Sequence, residues 1–172
     1  MLLAALGDVH GQWREAMALL GAACTSVEIT PGGMAAIFQV GDAEPQRNGD
    51  EAAMVSGPAQ YRKLGDFAEV VSGKIVVPAP LYFIAGNHEP FGALDADGGL
   101  VGGSGQWGPN VTYLGRDGLF EIAELRVGFL SGIYGEADRV SVRDYQLSGV
   151  SRRGLLLTVD GSCQNLDIMV RY

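Results

Sequence analysis

Cysteine and histidine are both scarce in this chain, with two of each in 172 residues. Cys24 and Cys163 lie far apart and lack Cys-x-x-Cys spacing. That argues against a disulfide framework or a cysteine zinc site, and it suits small buried hydrophobes in a reducing, cytoplasmic compartment. Long apolar runs are missing too. The stretch from Met1 to Leu6 is far too short to cross a bilayer and has neither the basic flank nor the cleavage pattern of a signal peptide, so a soluble chain with no membrane partner is expected. Basic residues are outnumbered, 12 Lys and Arg against 20 Asp and Glu, giving a formal charge of -8 and a pI near 4.6. Because phosphate backbones are gripped mainly by Lys and Arg, this excludes broad, sequence-blind adhesion to nucleic acid and leaves room only for a local basic patch. Charge is sparse overall, 19% beside 47% hydrophobic residues. Such a chain is not disordered, and one domain over residues 1–172 can bury a real core.

What is present is a repeated pattern of buried runs that end in glycine and a polar residue. Leu2 to Leu6 is apolar and closes on Gly7 and Asp8, which predicts a strand buried on both faces. Met34 to Val40 does the same into Gly41 and Asp42, and Leu81 to Ala85 into Gly86, Asn87 and His88. Between them, Gln12 to Ala23 has Trp13, Met17, Leu20 and, less regularly, Ala16 and Leu19 at helical spacing, and Ala59 to Val71 has Tyr61, Leu64, Phe67, Ala68 and Val71. Both segments predict helices. From Phe91 to Pro109 glycine is dense and periodicity fails, which predicts a long loop. Shorter strands are expected at Val111–Leu114, Leu119–Ile122, Arg126–Leu130 and Leu166–Val170, while Tyr145–Leu157 is ambiguous. Alternation early and hairpin spacing later predict a mixed α/β sandwich with parallel and antiparallel strands.

Open sheets of this kind place their sites at the C-terminal ends of strands, where these polar residues fall. Asp8 and His10, two apart, offer a carboxylate and an imidazole to one ion; manganese, iron and zinc accept that pair. Asp42 could bridge two ions, Asn87 could offer an amide oxygen to the second, and His88 could face substrate. Glu89 could orient a neighbouring imidazole. Each residue has a structural reading as well: Asp8 as a helix cap, Asp42 as a turn residue, either histidine as a satisfied core side chain. Both histidines, however, fall inside the three strand-end segments, a placement that packing does not account for.

The segments Gly7-Asp-Val-His-Gly11, Gly41-Asp42 and Gly86-Asn-His-Glu89, in this order and spacing, resemble the signature of calcineurin-like metallophosphoesterases. Within that superfamily, Arg47-Asn48, Tyr61 to Phe67, Ser72 to Lys74, Trp107 to Asn110, Tyr113 to Gly115 and Leu130 to Tyr134 are similar to lariat-debranching enzymes. The resemblance implies an α/β/β/α sandwich with two divalent ions. Asp8 and His10 would hold one ion, Asp42 would bridge, Asn87 would bind the second, and His88 would be the acid or phosphate contact. It further implies hydrolysis of a phosphodiester, with RNA as a candidate substrate, and gives Glu89, Arg47 and Asn48 supporting or substrate-facing roles. Debranching enzymes often carry Cys where this chain has Asp8, so an ordinary two-metal site is expected here.

The later ligands of the family do not map. Its next motif is a strand ending in His-Asp-Trp; Asp167 to Val170 looks like that strand, Tyr172 stands at or next to the expected His, and a Gly-His-x-His motif is absent. Weak metal binding is therefore expected, and the sandwich is expected to be incomplete at its C-terminus. The chain is read as the N-terminal portion of a longer enzyme, with a degenerate non-catalytic module, or completion by a second chain, as alternatives. A phosphatase of the phosphoserine or dinucleoside-polyphosphate kind ranks lower, because Ala43, Glu44 and Pro45 do not supply the Gly-Asp-x-Val-Asp-Arg-Gly pattern. Arg47, Arg62 and Lys63 could meet phosphates or be plain exposed charges, the plain reading standing ahead for Lys63 and level for Arg47. Trp107, in a loop, is open to stacking or to packing, whereas Trp13 and Tyr82 read as core.

Overall fold

The computed structural model describes residues 1–97, 105–122 and 124–131, together with the strands at 154–157 and 169–171. Its first half alternates strands and helices as the periodicity predicts. The strands are β1 (Leu3–Leu6), β2 (Ala36–Val40), β3 (Leu81–Ile84), β4 (Gln106–Gly108) and β5 (Val111–Tyr113). They form one sheet in the order β1-β2-β3-β5-β4, in which only the β4–β5 pair is antiparallel. A second sheet has the order β6-β7-β8-β9, from β6 (Asp117–Ile122), β7 (Leu125–Leu130), β8 (Gly154–Leu157) and β9 (Met169–Arg171).

Strand β2 lies inside the sheet, between β1 and β3, and every one of its residues is buried. Its alternate side chains serve two cores. Ile37 joins Leu81, Phe83, Val111 and Tyr113 of the same sheet against Trp13, Leu20 and Cys24 of helix α1 (Trp13–Ser26). Ala36, Phe38 and Val40 point the other way and meet Val127 and Phe129 of β7, so the two sheets pack face to face. Tyr82 and Phe120 stack across that interface with ring centroids 5.0 Å apart. The result is the mixed α/β sandwich expected from the sequence; the expectation of a second outer helical layer lies outside the described residues. No described helix is long and apolar enough to cross a membrane.

Four expectations need correction. β1 is an edge strand among the described residues and is only half-buried, with Ala5 exposed. In α1, Leu19 is 63% exposed, since the buried stripe runs through Trp13, Leu20 and Cys24. The single helix predicted over Ala59–Val71 is a 3-10 turn at Ala59–Tyr61 and a short α3 at Phe67–Val71. The residues between are claimed by tertiary contacts: Gly65 passes so close to Gly11 that a Cβ on it would sit 2.7 Å from Gly11 Cα, and Asp66 accepts hydrogen bonds from Trp13 N (2.6 Å) and Arg14 N (3.0 Å) at the start of α1. The predicted loop over Phe91–Pro109 contains a helix at Phe91–Asp97 and strand β4; its central glycines lie outside the described residues.

Candidate metal centre

Three loops leave β1, β2 and β3 at the same end of the sheet, because those strands are parallel neighbours. The first two continue side by side beyond the strands. Asp8 N donates to Gly41 O (3.3 Å), His10 N to Asp42 O (2.8 Å) and Gly11 N to Ala43 O (3.2 Å). To keep pairing while turning their side chains to one side, Asp8 (φ 50°), His10 (φ 46°), Asp42 (φ 52°) and Glu44 (φ 46°) all adopt left-handed backbone. Non-glycine residues seldom do so, and such conformations gather where a site requires them.

The third loop is pinned to the second through a carboxylate. Oδ1 of Asp42 accepts the backbone N–H groups of Asn87 (2.9 Å) and His88 (3.2 Å). Asp42 itself is buried, whereas the Asp8 side chain is 72% exposed. His10 stands between them, with Nε2 3.8 Å from Asp8 Oδ1 and 4.0 Å from Asp42 Oδ2. Asp8, His10 and Asp42 thus each offer a ligand atom within 4.8 Å of the others. Two carboxylate oxygens and one imidazole nitrogen are the donors that first-row divalent ions and zinc accept, so these residues fit such an ion.

Glu44 is a site residue that reading the sequence missed. Its Oε1 lies 3.0 Å from His10 Nδ1 and 3.5 Å from His88 Nδ1, and its side chain is only 12% exposed. The two imidazoles meet edge to face at 5.2 Å. His10, Glu44 and His88 form a second group of ligand atoms within 4.8 Å. An open cleft of about 550 Å³ lies against them, lined also by Gln60, Lys63 and Gly65. Lys63 therefore faces this cleft, although its sequence context favoured a plain surface charge. The one available signal for Glu44 was its offset from Asp42, equal to that of His10 from Asp8.

Glu89 is fully buried, and its Oε1 accepts the Ala43 backbone N–H at 2.6 Å, which ties the third loop to the second a second time. Burial, and then the nearby Asp42 charge, push its carboxyl up to about 8. Arg47 and Asn48 are likewise committed to structure. Asn48 caps the short helix α2 (Gly49–Ala53) by accepting from Glu51 N at 3.0 Å. Arg47 donates Nε to the buried Glu51 carboxylate at 2.7 Å and lies 3.8 Å over the Trp107 ring. Trp107 is itself buried and donates Nε1 to Pro45 O at 2.7 Å, which decides for packing over stacking.

The model of the family described as calcineurin-like phosphoesterase matches residues 1–161. Curated relatives are lariat debranching enzymes. That of Schizosaccharomyces pombe is 34% identical over 100 residues, 57% of this chain and 20% of that protein. That of Caenorhabditis briggsae is 37% identical over 57% of this chain and 18% of its own length, and the human enzyme 30% over 80% and 24%. The matched part of the chain thus spans a quarter or less of each of these relatives. The family's metal chemistry asks for loop carboxylates and imidazoles gathered at the ends of parallel strands, as Asp8, His10 and Asp42 are here, and with a family match that takes in all three strand-end loops this chain belongs to the calcineurin-like phosphoesterases.

Proposed function

We propose that the chain carries the metal-dependent site of a phosphodiesterase whose substrate is a branched RNA with a 2'–5' linkage. The single observation that carries this reading is the meeting of Asp8, His10 and Asp42 donor atoms within 4.8 Å, His10 also lining a cleft together with His88. The debranching relatives supply the substrate class.

Asp8 and His10 would hold one ion, Asp42 would be shared, and Asn87 would serve a second; manganese, iron and zinc all suit these donors. When bound, such ions polarise phosphoryl oxygens and activate water for attack on phosphorus. The remaining work falls to the chain's own groups. His88 donates a proton or hydrogen bond to the ester oxygen as it leaves. Asp42 is kept in place by the Asn87 and His88 amides. Lys63 offers a positive charge to a phosphate entering a cleft that Glu44 also lines. With a chain of net charge -8, recognition rests on this local arrangement and not on general attraction to nucleic acid.

The test is hydrolysis, with added manganese, of an oligonucleotide bearing a 2'–5' branch beside its linear 3'–5' counterpart. Preferential release of the branch, lost in Asp42→Asn, supports the reading. Equal cleavage of both would remove the branch specificity, and activity that survives Asp42→Asn would remove the site.

A further inference from the structure

We infer that Glu44 is a positioning residue, holding His10 by its Nδ1 with its carboxylate also facing His88, so that His10 turns the lone pair of Nε2 toward Asp8 and Asp42. The inference deepens the reading above, in which His10 is a ligand and His88 the proton donor.

The Glu44 contact bears on where the His10 proton sits. A carboxylate only accepts, so the 3.0 Å contact between Glu44 Oε1 and His10 Nδ1 requires the proton on Nδ1. A neutral imidazole then has its lone pair on Nε2, the atom that faces Asp8 at 3.8 Å and Asp42 at 4.0 Å. Left to water, an imidazole favours the opposite tautomer, with the proton on Nε2 and no lone pair there for an ion. Glu44 thus selects the form that can ligate, as carboxylates behind metal-bound histidines do in general. The same oxygen lies 3.5 Å from His88 Nδ1 and favours the matching orientation of that ring.

Glu44 is held to this task by its own backbone. It sits at φ 46° in a loop paired to the first strand-end loop, and the amide of its neighbour Ala43 is fixed by Glu89. A surface ion pair formed by chance would not need a left-handed backbone or a carboxylate 12% exposed.

The chain has only two histidines, so the nitrogen-15 spectrum of its imidazoles holds just two rings. The full chain is measured with chelator at about pH 9, above the range in which imidazoles generally titrate. The expected result is Nδ1–H with an unprotonated Nε2 for His10. Glu44→Gln, which keeps an accepting oxygen, retains that tautomer; Glu44→Leu moves the proton to Nε2. Manganese affinity, measured in parallel, falls roughly 10- to 100-fold in Glu44→Leu and only a few-fold in Glu44→Gln. A wild-type His10 protonated on Nε2 overturns the inference, as does a tautomer indifferent to Glu44→Leu, and the wild-type spectrum alone decides should the leucine variant not fold. Since the tautomer is read without turnover, a chain with the expected spectrum and no hydrolysis refutes the functional reading alone, while hydrolysis with the wrong tautomer refutes only the role of Glu44.

Discussion

Gly86 passes so close to Asp42 that a Cβ built on residue 86 would sit 2.6 Å from the Asp42 amide nitrogen and 2.9 Å from its Cγ. The absence of a side chain there lets the third loop lay its amides onto the second loop's carboxylate. Gly86→Ala should therefore displace Asp42, destabilise the fold by ~1–3 kcal/mol through overpacking, and abolish manganese binding. Urea unfolding and calorimetric titration would check both parts. By contrast, a Cβ at Gly7 meets only Val40 Cγ2, at 3.7 Å, so Gly7→Ala should leave binding unchanged.

His88 lines the cleft but is not among the Asp8, His10 and Asp42 donors. His88→Ala should keep metal content near that of the native chain and lower turnover about 100-fold or more, the usual worth of a positioned proton donor. Metal analysis beside rate measurement separates the two effects; turnover that does not change would take His88 out of the chemistry.

Glu89 ties stability to pH. Its carboxyl titrates near 8 in the folded chain against 4.5 ordinarily, so the native state keeps a proton that the unfolded state gives up. The contribution is complete below about pH 4.5 and is lost as pH rises through about 8. In the presence of chelator, the melting temperature should fall between about pH 5 and pH 8, and Glu89→Gln should flatten that slope. An equal slope in the two proteins would show that Glu89 ionises as freely folded as unfolded.

Lys63 supplies positive charge to the cleft wall. Lys63→Ala should raise KM for a phosphodiester several-fold, with kcat changed little, because it removes binding that ground and transition states share. A steeper loss in kcat than in KM would instead assign Lys63 to the transition state.

The three strand-end loops were legible in the sequence because an apolar run stopped by glycine and a polar residue favours a strand that ends in a sharp, solvent-facing turn. β2 and β3 behaved as such runs, buried along nearly their whole length. β1 did not: it is the outermost strand among the described residues, and an outer strand can be as apolar in sequence as a central one. The helix predicted across residues 59–71 failed for a tertiary reason. Helical spacing at Tyr61, Leu64, Phe67 and Val71 was outweighed by Gly65, which must pass Gly11, and by Asp66, which caps a helix more than fifty residues earlier in the chain. Such a cap is worth about 1 kcal/mol and leaves no local trace. Arg47 and Asn48 stood out as polar residues beside a motif, yet Glu51, Trp107 and the α2 N-terminus take them up. Glu44 was hidden because a glutamate in a proline-containing turn has no periodicity to betray it.

The left-handed backbone shared by Asp8, His10, Asp42 and Glu44 sets this chain's chemistry against its own robustness. Glycine would rest at each of those four positions with less steric conflict, by ~1 kcal/mol apiece. Exchanging them for glycine one after another would harden the fold and at the same time strip the strand ends of the carboxylates and imidazole gathered there.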